Sequence, residues 1–424
     1  MHPLENIFRT TLDRCAPDWL VSSKLEPRDG DRGFAIPTSR FDVKLAGPGH
    51  LWMFGAGKAA LRMAQGVLEK LGPQIRGGVI IMPDGATPPP SKLGPVEVMV
   101  GSHPHPTEKS LASTRRLLEI AAMCTANDHA LFLLSGGASA LLVSPNDGIT
   151  LAEKAEVARA LMDSGAPISE LNTVRKHLSQ VKGGRLISKF RCGVTVLVLS
   201  DVAGNSVATI GSGPFVADLT TRADARRILE SRLSQPSIRV LAALTETPQA
   251  TASPRHVLLA DGHEMARVAA QVAREQTTVN VILNETPIES GALGLAADYA
   301  ATVADRRQPQ LLVRFGEPIL RITRAQAGRG GRSQHLALAL ADHLRGIPGW
   351  SFLAAGTDGI DGNNDAAGGL VDGGTCQRAE QAGVNVAQAL ARFDSYSALL
   401  AAGALVRTGL TGNNLQDLHL LRCD

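Results

Sequence analysis

Cysteines are few, and none of them forms a recognisable disulfide or metal motif. The five cysteines are widely scattered, and no C-x-x-C occurs. A disulfide framework or a zinc site is therefore not expected, and a reducing compartment is favoured. The amino terminus lacks an apolar run of signal-peptide length, and no stretch approaches the ~18 apolar residues of a membrane span. We therefore expect a cytoplasmic protein.

Concentrated positive charge is also missing. The chain has 43 basic and 40 acidic residues, a formal net charge of +3 and no Lys/Arg block. Neither a nucleic acid nor a membrane surface is an expected partner, and small molecules are. Internal repeats and long low-complexity segments are absent, whereas 424 residues with 44% apolar residues can bury the cores of two or three domains.

Short apolar runs alternate with longer amphipathic segments, which indicates βαβ units and a largely parallel sheet. In the first half we predict a doubly wound, Rossmann-like α/β domain. Its buried strands are predicted at 51–54, 78–82, 96–100, 130–134 and 194–199, and two of its helices at 109–123 and 151–162.

A domain boundary is predicted where the composition changes to TETPQATASPRH, residues 245–256. We assign 1–244 to the first domain, 245–255 to a linker and 256–424 to a second α/β domain. In the second domain we predict strands at 256–260, 279–283, 310–315 and 351–355, and helices at 264–275 and 334–343. Clefts between such domains often bind ligands, so the active site is expected there.

The segment 51–64, LWMFGAGKAALRMA, carries two conflicting signals. Gly55, Gly57 and the residues after them fit the G-x-G-x-x-G/A dinucleotide fingerprint, but Lys58 stands where the chain should meet a phosphate. A strand end followed by a helix start directs free backbone N–H groups and the positive end of the helix dipole at the glycines. An anion is expected at this turn.

The kind of anion stays open on this segment alone. A Walker A loop is excluded because Trp52 replaces its first glycine and Ala59 its hydroxyl residue. Asp84 could serve as the acidic residue that a dinucleotide fold has after the next strand. A structural turn with a solvated Lys58 is the ordinary alternative.

A second turn of the same kind follows the predicted strand in LFLLSGGASALL, residues 131–142. Small hydroxyl residues and glycines at a helix start form a nest for a carboxylate or a phosphate. Two nests in one domain suggest a ligand with two anionic ends. The residues of this nest are Ser135, Gly136, Gly137, Ala138 and Ser139.

A basic segment, LNTVRKHLSQVKGGRL at 171–186, precedes the last strand of the first domain. A solvated helix face is its ordinary interpretation. However, Asp201 follows at the carboxyl end of the next buried strand, where parallel sheets place their chemistry.

Two glycine-rich segments lie near the carboxyl end, GRGGRSQ at 328–334 and GTDGIDGNNDAAGGLVDGG at 356–374. The carboxylates of the second segment, Asp358 and Asp361 among them, suit Mg²⁺, although Asp-Gly pairs also make ordinary turns. An EF-hand is rejected because Ala366 replaces the required glycine and Asp372 the bidentate glutamate.

Taken in order, nine blocks resemble one protein family over nearly the whole chain. They are FGAGKAA, SHPHPTEKS, LSGGASALL, NTVRKHLSQVKGGRL, LSDVAGNSVATIGSGP, GEPILRI, GRGGRSQ, GTDGIDGNNDAAGG and LVRTGLTGNNLQDL. The family is that of the glycerate kinases with an N-terminal α/β domain and a carboxyl-terminal MOFRL domain, here about residues 310–420. Some members were once provisionally named hydroxypyruvate reductases.

The resemblance implies ATP- and Mg²⁺-dependent phosphorylation of D-glycerate, most simply to 2-phosphoglycerate. Phosphoryl transfer mainly needs positioning and cationic charge, which Lys58 and Arg332 would supply from the two domains. Asp201 would orient the hydroxyl or bind Mg²⁺ together with Asp358 and Asp361. Substrate and phosphate contacts are expected from Gly55, Gly57, the turn 135–139, His103, Arg175, Lys182, Asn205, Glu317 and Gln334.

The chain departs from the family pattern at two places. His335 stands in GGRSQH where the family usually has glutamate, and the asparagine usual around Ala260-Asp261-Gly262-His263 is absent. If His335 lies beside a ligand, its protonation should alter binding between about pH 5 and 8. A helix-face histidine in ordinary packing contacts is the alternative.

Two other functions stay open at this stage. An NAD(P)-dependent hydroxypyruvate reductase would use His103 or His105 as its catalytic histidine. A non-catalytic sugar-phosphate-binding protein would need the anion nests but not Asp201, Asp358 and Asp361. The sequence also leaves open the 2- or 3-phosphoglycerate product, the nucleotide preference, the ligand of each nest and a homodimer.

Overall fold

Helices and strands alternate along the chain, and the computed structural model describes them for residues 1–28, 32–45, 47–85, 89–249, 254–322 and 328–424. The α-helices are α1 Pro3–Arg14, α2 Pro17–Ser22, α3 Ala60–Leu71, α4 Glu108–Ala121, α5 Ala138–Leu141, α6 Leu151–Asp163, α7 Ile168–His177, α8 Arg222–Arg232, α9 Ile238–Ala242, α10 Gly262–Gln276, α11 Ala292–Ala304, α12 Arg332–His343, α13 Thr375–Gln381, α14 Val386–Ala391 and α15 Ser395–Ala401. The β-strands are β1 Glu26–Pro27, β2 Gly33–Ile36, β3 Phe41–Lys44, β4 Leu51–Ala56, β5 Ile75–Pro83, β6 Lys92–Leu93, β7 Val96–Gly101, β8 His129–Leu134, β9 Gly193–Leu199, β10 Arg255–Ala260, β11 Asn280–Leu283, β12 Gln310–Gly316, β13 Trp350–Gly356, β14 Gly368–Asp372, β15 Leu405–Val406 and β16 Asp417–Cys423.

The apolar runs predicted as strands in the first half form the centre of a seven-stranded sheet with the order β10-β9-β8-β4-β5-β7-β6. The pairs β4–β5, β4–β8, β5–β7 and β8–β9 are parallel, whereas the short β6 is antiparallel to its neighbour β7. Every residue of β4 is buried, as expected for a strand covered on both faces. The predicted α/β fold class is confirmed.

Strands β4 and β8 lie side by side although β5 and β7 come between them in the sequence. The chain moves outward from β4 to β5 and β7, then returns to build the other half of the sheet from β8. With β6 set aside, this is the strand order of Rossmann folds. Ligands of open α/β sheets bind at such a switch point, beside the carboxyl ends of the two diverging strands.

Helices α6 to α9 form a layer with its own apolar core, which includes Leu161, Leu171, Val174 and Leu229. Leu171, Val174 and Leu178 are spaced by three and four residues, so they lie on one face of the helix and pack into this core. The layer therefore fixes the position of the basic segment that α7 begins.

The second sheet has six strands in the order β11-β12-β16-β13-β14-β15. Strands β12 and β13 each pair antiparallel with β16, so both run in the same direction. Asp417 is the first residue of β16, and its register partners are Gly316 and Gly356, the last residues of β12 and β13. The ends of three strands, only two of which the sequence predicts, therefore meet at one edge.

The chain divides into two compact units, Pro17–Leu259 and the combination of Met1–Ala16 with Ala260–Asp424. These units differ from the predicted domains 1–244 and 256–424, and part of the predicted linker 245–255, residues 250–253, lies outside the described residues. Helix α1 belongs to the second unit because its buried apolar face packs against α10.

Strand β10 is predicted in the second domain, but it extends the first sheet beside β9. Val257 and Leu259 are buried there, so the apolar run completes the edge of the parallel sheet. Periodicity alone could not reveal which of two sheets this strand would join.

Among the helices of the described ranges, none combines the length and the apolarity needed to cross a membrane.

Candidate active site

In the turn between β4 and α3, the backbone N–H groups donate hydrogen bonds to acceptors within the protein. The N–H of Gly57 donates to the carbonyl oxygen of Ile81 at 3.2 Å, and the N–H of Lys58 to that of Gly136 at 2.9 Å. The N–H of Ala59 donates to Ser135 Oγ at 3.0 Å. The expectation of free N–H groups at this turn is therefore wrong.

Glycine is required at this turn because two segments of backbone meet there. Gly57 has φ +140°, and a Cβ atom at this position would lie 2.1 Å from Ser135 Oγ. A Cβ on Gly55 would lie 2.9 Å from the Cβ of Leu133 in the neighbouring strand. Both glycines thus serve the packing of the two turns, which is the ordinary alternative that the sequence left open for them, and the buried hydroxyl of Ser135 takes part in the same packing.

The turn between β8 and α5 does offer open N–H groups. The N–H of Ala138 donates to Ser135 O at 3.4 Å, whereas those of Gly136, Gly137 and Ser139 have no acceptor in the described part of the chain. Such a run of N–H groups attracts an anion. The second predicted nest therefore has the donors that the first lacks.

The side chains of Lys58 and His103 meet above this second turn. A Cβ atom on Gly137, which has φ +83°, would lie 3.2 Å from Lys58 Cγ and 3.2 Å from His103 Cδ2. Lys58 is half-buried and His103 is exposed. A cationic side chain thus lies close to the open N–H groups, which is the combination that the sequence predicts for a phosphate site.

Lys182 lies beneath the same turn and is 2% exposed. Its Nζ lies 2.7 Å from Ser139 O, 3.1 Å from Ser139 Oγ and 3.4 Å from Gly211 O. Burial, and then the nearby charge of Arg175, lower the pKa of Lys182 to about 7. Burial also lowers the pKa of Arg175. These three contacts of Lys182 Nζ are thus all with oxygen atoms of the protein, two of them in the turn 135–139.

Asp201 and Asn205 lie in the loop that follows β9. Because β9 runs parallel to β8, this loop leaves the same edge of the sheet as the turn 135–139. Asn205 adopts a positive φ of 53°, a conformation that asparagine tolerates better than most residues. Both residues thus lie at the edge where the sequence predicts them.

In the second unit, Arg332 at the start of α12 is clamped by two carboxylates. Its Nε and Nη2 donate to Asp417 at 2.7 and 3.0 Å, and its Nη1 and Nη2 contact Glu317 at 2.9 and 2.7 Å. Burial by itself lowers the pKa of Arg332. The charges and hydrogen bonds of Asp417 and Glu317 outweigh this effect and raise the pKa above its usual range. The guanidinium is therefore oriented by protein groups at the common edge of β12, β13 and β16.

Asp361 caps the amino terminus of α12. Its carboxylate accepts the N–H groups of Ser333 at 3.2 Å and Gln334 at 2.7 Å. Gln334 is buried and returns a bond from Nε2 to the carbonyl oxygen of Asp361 at 3.0 Å. Burial, and then Asp417, raise the pKa of Asp361 to about 7, although the two N–H bonds oppose the rise. Asp361 and Gln334, predicted as metal and substrate contacts, thus hold a helix start.

Asp358 shares its sheet edge with Asp417. A Cβ on Gly356 would lie 3.2 Å from Asp358 Oδ1 and 3.3 Å from Asp417 Oδ1, so glycine at this position lets both carboxylates lie close without a tight contact. In the described ranges, no three His, Cys, Asp or Glu side chains are grouped as a metal site. Mg²⁺ is commonly held by one or two carboxylates together with phosphate oxygens. Asp358, with Asp417 beside it, fits a metal of that kind.

The glycines of GRGGRSQ let the backbone approach other protein groups closely. A Cβ on Gly331 would lie 2.2 Å from Asp361 Oδ1. One on Gly330 would lie 2.2 Å from Ser395 Oγ, and one on Gly362 would lie 1.9 Å from the carbonyl oxygen of Gly330. The two glycine-rich segments are therefore packed against each other.

His335 faces the interior of the second unit. It is 2% exposed, and its ring stacks on Phe393 with 5.0 Å between centroids. Burial lowers its pKa to about 4. The hypothesis that this ring titrates beside a ligand between pH 5 and 8 is therefore wrong, and packing is the reason.

Two residues of these sites escape the sequence prediction. Asp417 lies in the quoted block LVRTGLTGNNLQDL, but only the register of β16 brings it to Arg332. Ser212 lies in LSDVAGNSVATIGSGP, and its Oγ is 2.9 Å from Ser139 Oγ. The polar residue at the start of an apolar run was the available signal for Asp417.

Two family models match the chain, "Domain of unknown function (DUF4147)" over residues 3–245 and "MOFRL family" over residues 310–417. The D-glycerate 2-kinase of Thermotoga maritima is 40% identical over 86% of this chain and 89% of its own length. A protein of Agrobacterium vitis, provisionally named a hydroxypyruvate reductase, is 35% identical over 88% of this chain and 87% of its own. The crystal structure of Thermotoga maritima glycerate kinase matches with a TM-score of 0.83 at 36% identity, covering 100% of this chain and 99% of that one.

We predict that His335→Gln leaves the pH dependence of ligand affinity unchanged between pH 5 and 8, because the buried ring is already neutral there. Stability should change instead. The pKa of about 4 lies below the unfolded value of 6.5, so wild-type stability from this ring is present above pH 6.5 and is lost as the pH falls to about 4. Denaturant unfolding at pH 4 to 7 measures this loss, which the variant should lack. If the variant shifts the pH dependence of ligand affinity, the His335 ring must lie beside the ligand and this prediction is contradicted.

We predict that Asp361→Asn destabilises the second unit by ~1–3 kcal/mol at pH 5, because the Asn side chain can accept only one of the two helix N–H groups. The pKa of Asp361, about 7, lies above its unfolded value of 3.8, so wild-type stability from this group is full below pH 4 and is lost as the pH rises to about 7. The deficit of the variant should shrink over that range in urea unfolding. Asp358→Asn is the matched control, and equal losses in both variants would refute the capping role.

Proposed function

The chain belongs to the DUF4147–MOFRL family of phosphotransferases, which includes the glycerate kinases, and we propose that it transfers the γ-phosphoryl group of ATP to the 2-hydroxyl of D-glycerate with Mg²⁺. Glycerate and ATP are thus its proposed small-molecule partners. Cytoplasmic location agrees with the scattered cysteines and is proposed with it.

The observation that carries the proposal is the position of Lys58 over the open N–H groups of Gly136, Gly137 and Ser139. Phosphoryl transfer requires charge stabilisation around the transferred group more than covalent chemistry. A lysine ammonium and fixed N–H dipoles supply that stabilisation without reorganisation during the reaction. We assign Lys58 to the transferred phosphoryl group and the turn to an anionic oxygen beside it.

The turn after β4 argues against the reductase. A dinucleotide fold binds its pyrophosphate on the backbone N–H groups of this first turn. Here the N–H groups of Gly57, Lys58 and Ala59 already donate to Ile81, Gly136 and Ser135. The glycines that match the fingerprint thus serve packing, which removes the main support for NAD(P).

The carboxylates of the second unit support a divalent cation. Glu317 and Asp417 both contact Arg332, and Asp358 lies beside Asp417, so among these four described residues carboxylates outnumber the guanidinium and would repel phosphate. Mg²⁺ supplies charge neutralisation for nucleotide phosphates. Asp358 would hold it, with Asp417 kept in place by Arg332 and Ser333. Asp201, in the first unit, stays our candidate for orienting the acceptor hydroxyl.

Two incubations test the proposal directly. Purified protein with D-glycerate, ATP and Mg²⁺ should form ADP and phosphoglycerate. The same protein with hydroxypyruvate and NAD(P)H should not oxidise the nicotinamide. The opposite pattern would establish the reductase, and binding of sugar phosphates without turnover in either mixture would favour a binding protein.

We predict that Lys58→Ala lowers kcat by about 10²–10³ at saturating D-glycerate and Mg·ATP, because one electrostatic contact at the reacting centre is lost. This corresponds to ~3–4 kcal/mol in activation free energy. Lys58→Arg, which keeps the charge, should retain more activity. Lys70→Ala, an exposed lysine at the end of α3, is the control, and melting curves report the fold. A folded Lys58→Ala enzyme with more than about a tenth of wild-type kcat would remove Lys58 from the reacting centre.

We predict that turnover falls to background after exhaustive chelation and returns when Mg²⁺ is added. Asp358→Asn should raise the Mg²⁺ concentration needed for half-maximal turnover, because one hard oxygen donor is replaced by an amide. A titration of activity against free Mg²⁺ measures this shift, with Asp365→Asn as a control from the same loop. Full activity without a divalent cation would contradict the metal assignment.

A further inference from the structure

The three oxygen partners of Lys182 differ in what they can do. The carbonyl oxygens of Ser139 and Gly211, at 2.7 and 3.4 Å from Nζ, can only accept a hydrogen bond. The hydroxyl of Ser139, at 3.1 Å, can accept or donate one. Only the Ser139 hydroxyl contact can therefore reverse its direction.

This arrangement satisfies both protonation states of a buried lysine. The ammonium form has three N–H groups for the three oxygens. The neutral amine has two N–H groups for the two carbonyl oxygens, and its lone pair can accept the hydroxyl proton of Ser139. Ser212 Oγ, 2.9 Å from Ser139 Oγ, gives that hydroxyl a further hydrogen-bond partner in either state.

The charges around Lys182 favour loss of its proton. Burial, and then the charge of Arg175 on α7, lower the pKa of Lys182 to about 7. Lys154 on α6 also interacts electrostatically with Lys182. The charges of Arg175 and Arg185 act on Lys154 as well. Beyond Gly183, Lys176 and Asp218 pair with each other at 3.2 Å. Cations thus predominate among the charges that act on Lys182, and Asp218, beside Gly183, already pairs with Lys176.

We propose that Lys182 and Ser139 form a proton relay for the acceptor hydroxyl of the substrate, an inference that rests on the proposed kinase function. The substrate oxygen forms its bond to the γ-phosphorus as the bond from that phosphorus to ADP breaks. The hydroxyl proton passes to Ser139 Oγ while the proton of Ser139 passes to Lys182 Nζ, and the ammonium later releases a proton to solvent. In this relay the Ser139 hydroxyl contacts the substrate, and Lys182 accepts the proton of Ser139 without contacting the substrate itself.

The position of Ser139 suits this role. Its side chain is half-buried, while Lys182 beneath it is shielded from solvent. It belongs to the turn whose open N–H groups and neighbouring Lys58 we assign to the phosphoryl group. A general base works best when its pKa lies near the working pH, and burial with cationic neighbours is how lysines reach that range.

The test is the pH profile of kcat at saturating D-glycerate and Mg·ATP. In the wild type, kcat should decline on the acidic side of the profile as a group with a pKa near 7 becomes protonated. We call this decline the acidic limb. Lys182→Met should lower kcat by about 10² or more and lose this limb, with little change in KM for ATP. Lys154→Met is the matched control, since Lys154 is equally buried but bonds Leu178 O at 2.8 Å, away from Ser139, and should keep the limb.

Ser139 provides a second test that does not depend on the folding of the Lys182 variant. Ser139→Ala should lose the limb and a similar factor in kcat, while Ser139→Thr, which keeps a hydroxyl, should recover part of both. The relay is overturned if Lys182→Met or Ser139→Ala keeps the limb, or if kcat and KM worsen together at every pH, as a structural role requires. No turnover in the wild type would instead overturn the kinase proposal, and the relay with it.

Discussion

The hydrogen bond from the N–H of Lys58 to the carbonyl oxygen of Gly136 fixes the arrangement on which the first site depends. Together with the bond from Ala59 to Ser135, it joins two turns that lie 76 residues apart in the sequence. It uses up the donors of the first turn and leaves those of the second turn open. It also holds Lys58 beside Gly137, the position on which our assignment of Lys58 to the phosphoryl group depends.

The two units present opposite electrostatic environments, each built by burial. In the first unit, Lys154 and Lys182 are buried and Arg175 is half-buried; burial lowers the pKa of each, and an anion would offset their positive charge. In the second, burial and then the charge of Asp417 raise the pKa of Asp361 to about 7, and a cation would offset the negative charge there. The phosphoryl transfer that we propose would use cationic groups around the transferred phosphoryl group and a divalent cation on the nucleotide phosphates.

Sequence periodicity predicts the parallel strands and most of the turn residues, because buried strands read as apolar runs and chemistry follows their carboxyl ends. It cannot predict which N–H groups are already used, since the partner of Lys58 depends on the strand order. For the same reason Asp361 reads as a ligand although it caps α12, and Asp417 is missed because only the register of β16 brings it to Arg332. His335 reads as a site residue because sequence alone does not report that Phe393 covers it.

The central claim is transfer of phosphate from ATP to the 2-hydroxyl of D-glycerate, and a proton-coupled ³¹P NMR spectrum of the reaction mixture tests it most directly. An ester at the 2-hydroxyl places phosphorus next to a carbon with one hydrogen, so the account predicts a doublet that grows as the γ-phosphate signal of ATP declines. A triplet from phosphorus next to a CH₂ group would contradict the regiochemistry. An unchanged ATP spectrum, with active protein and Mg²⁺ present, would contradict the account as a whole.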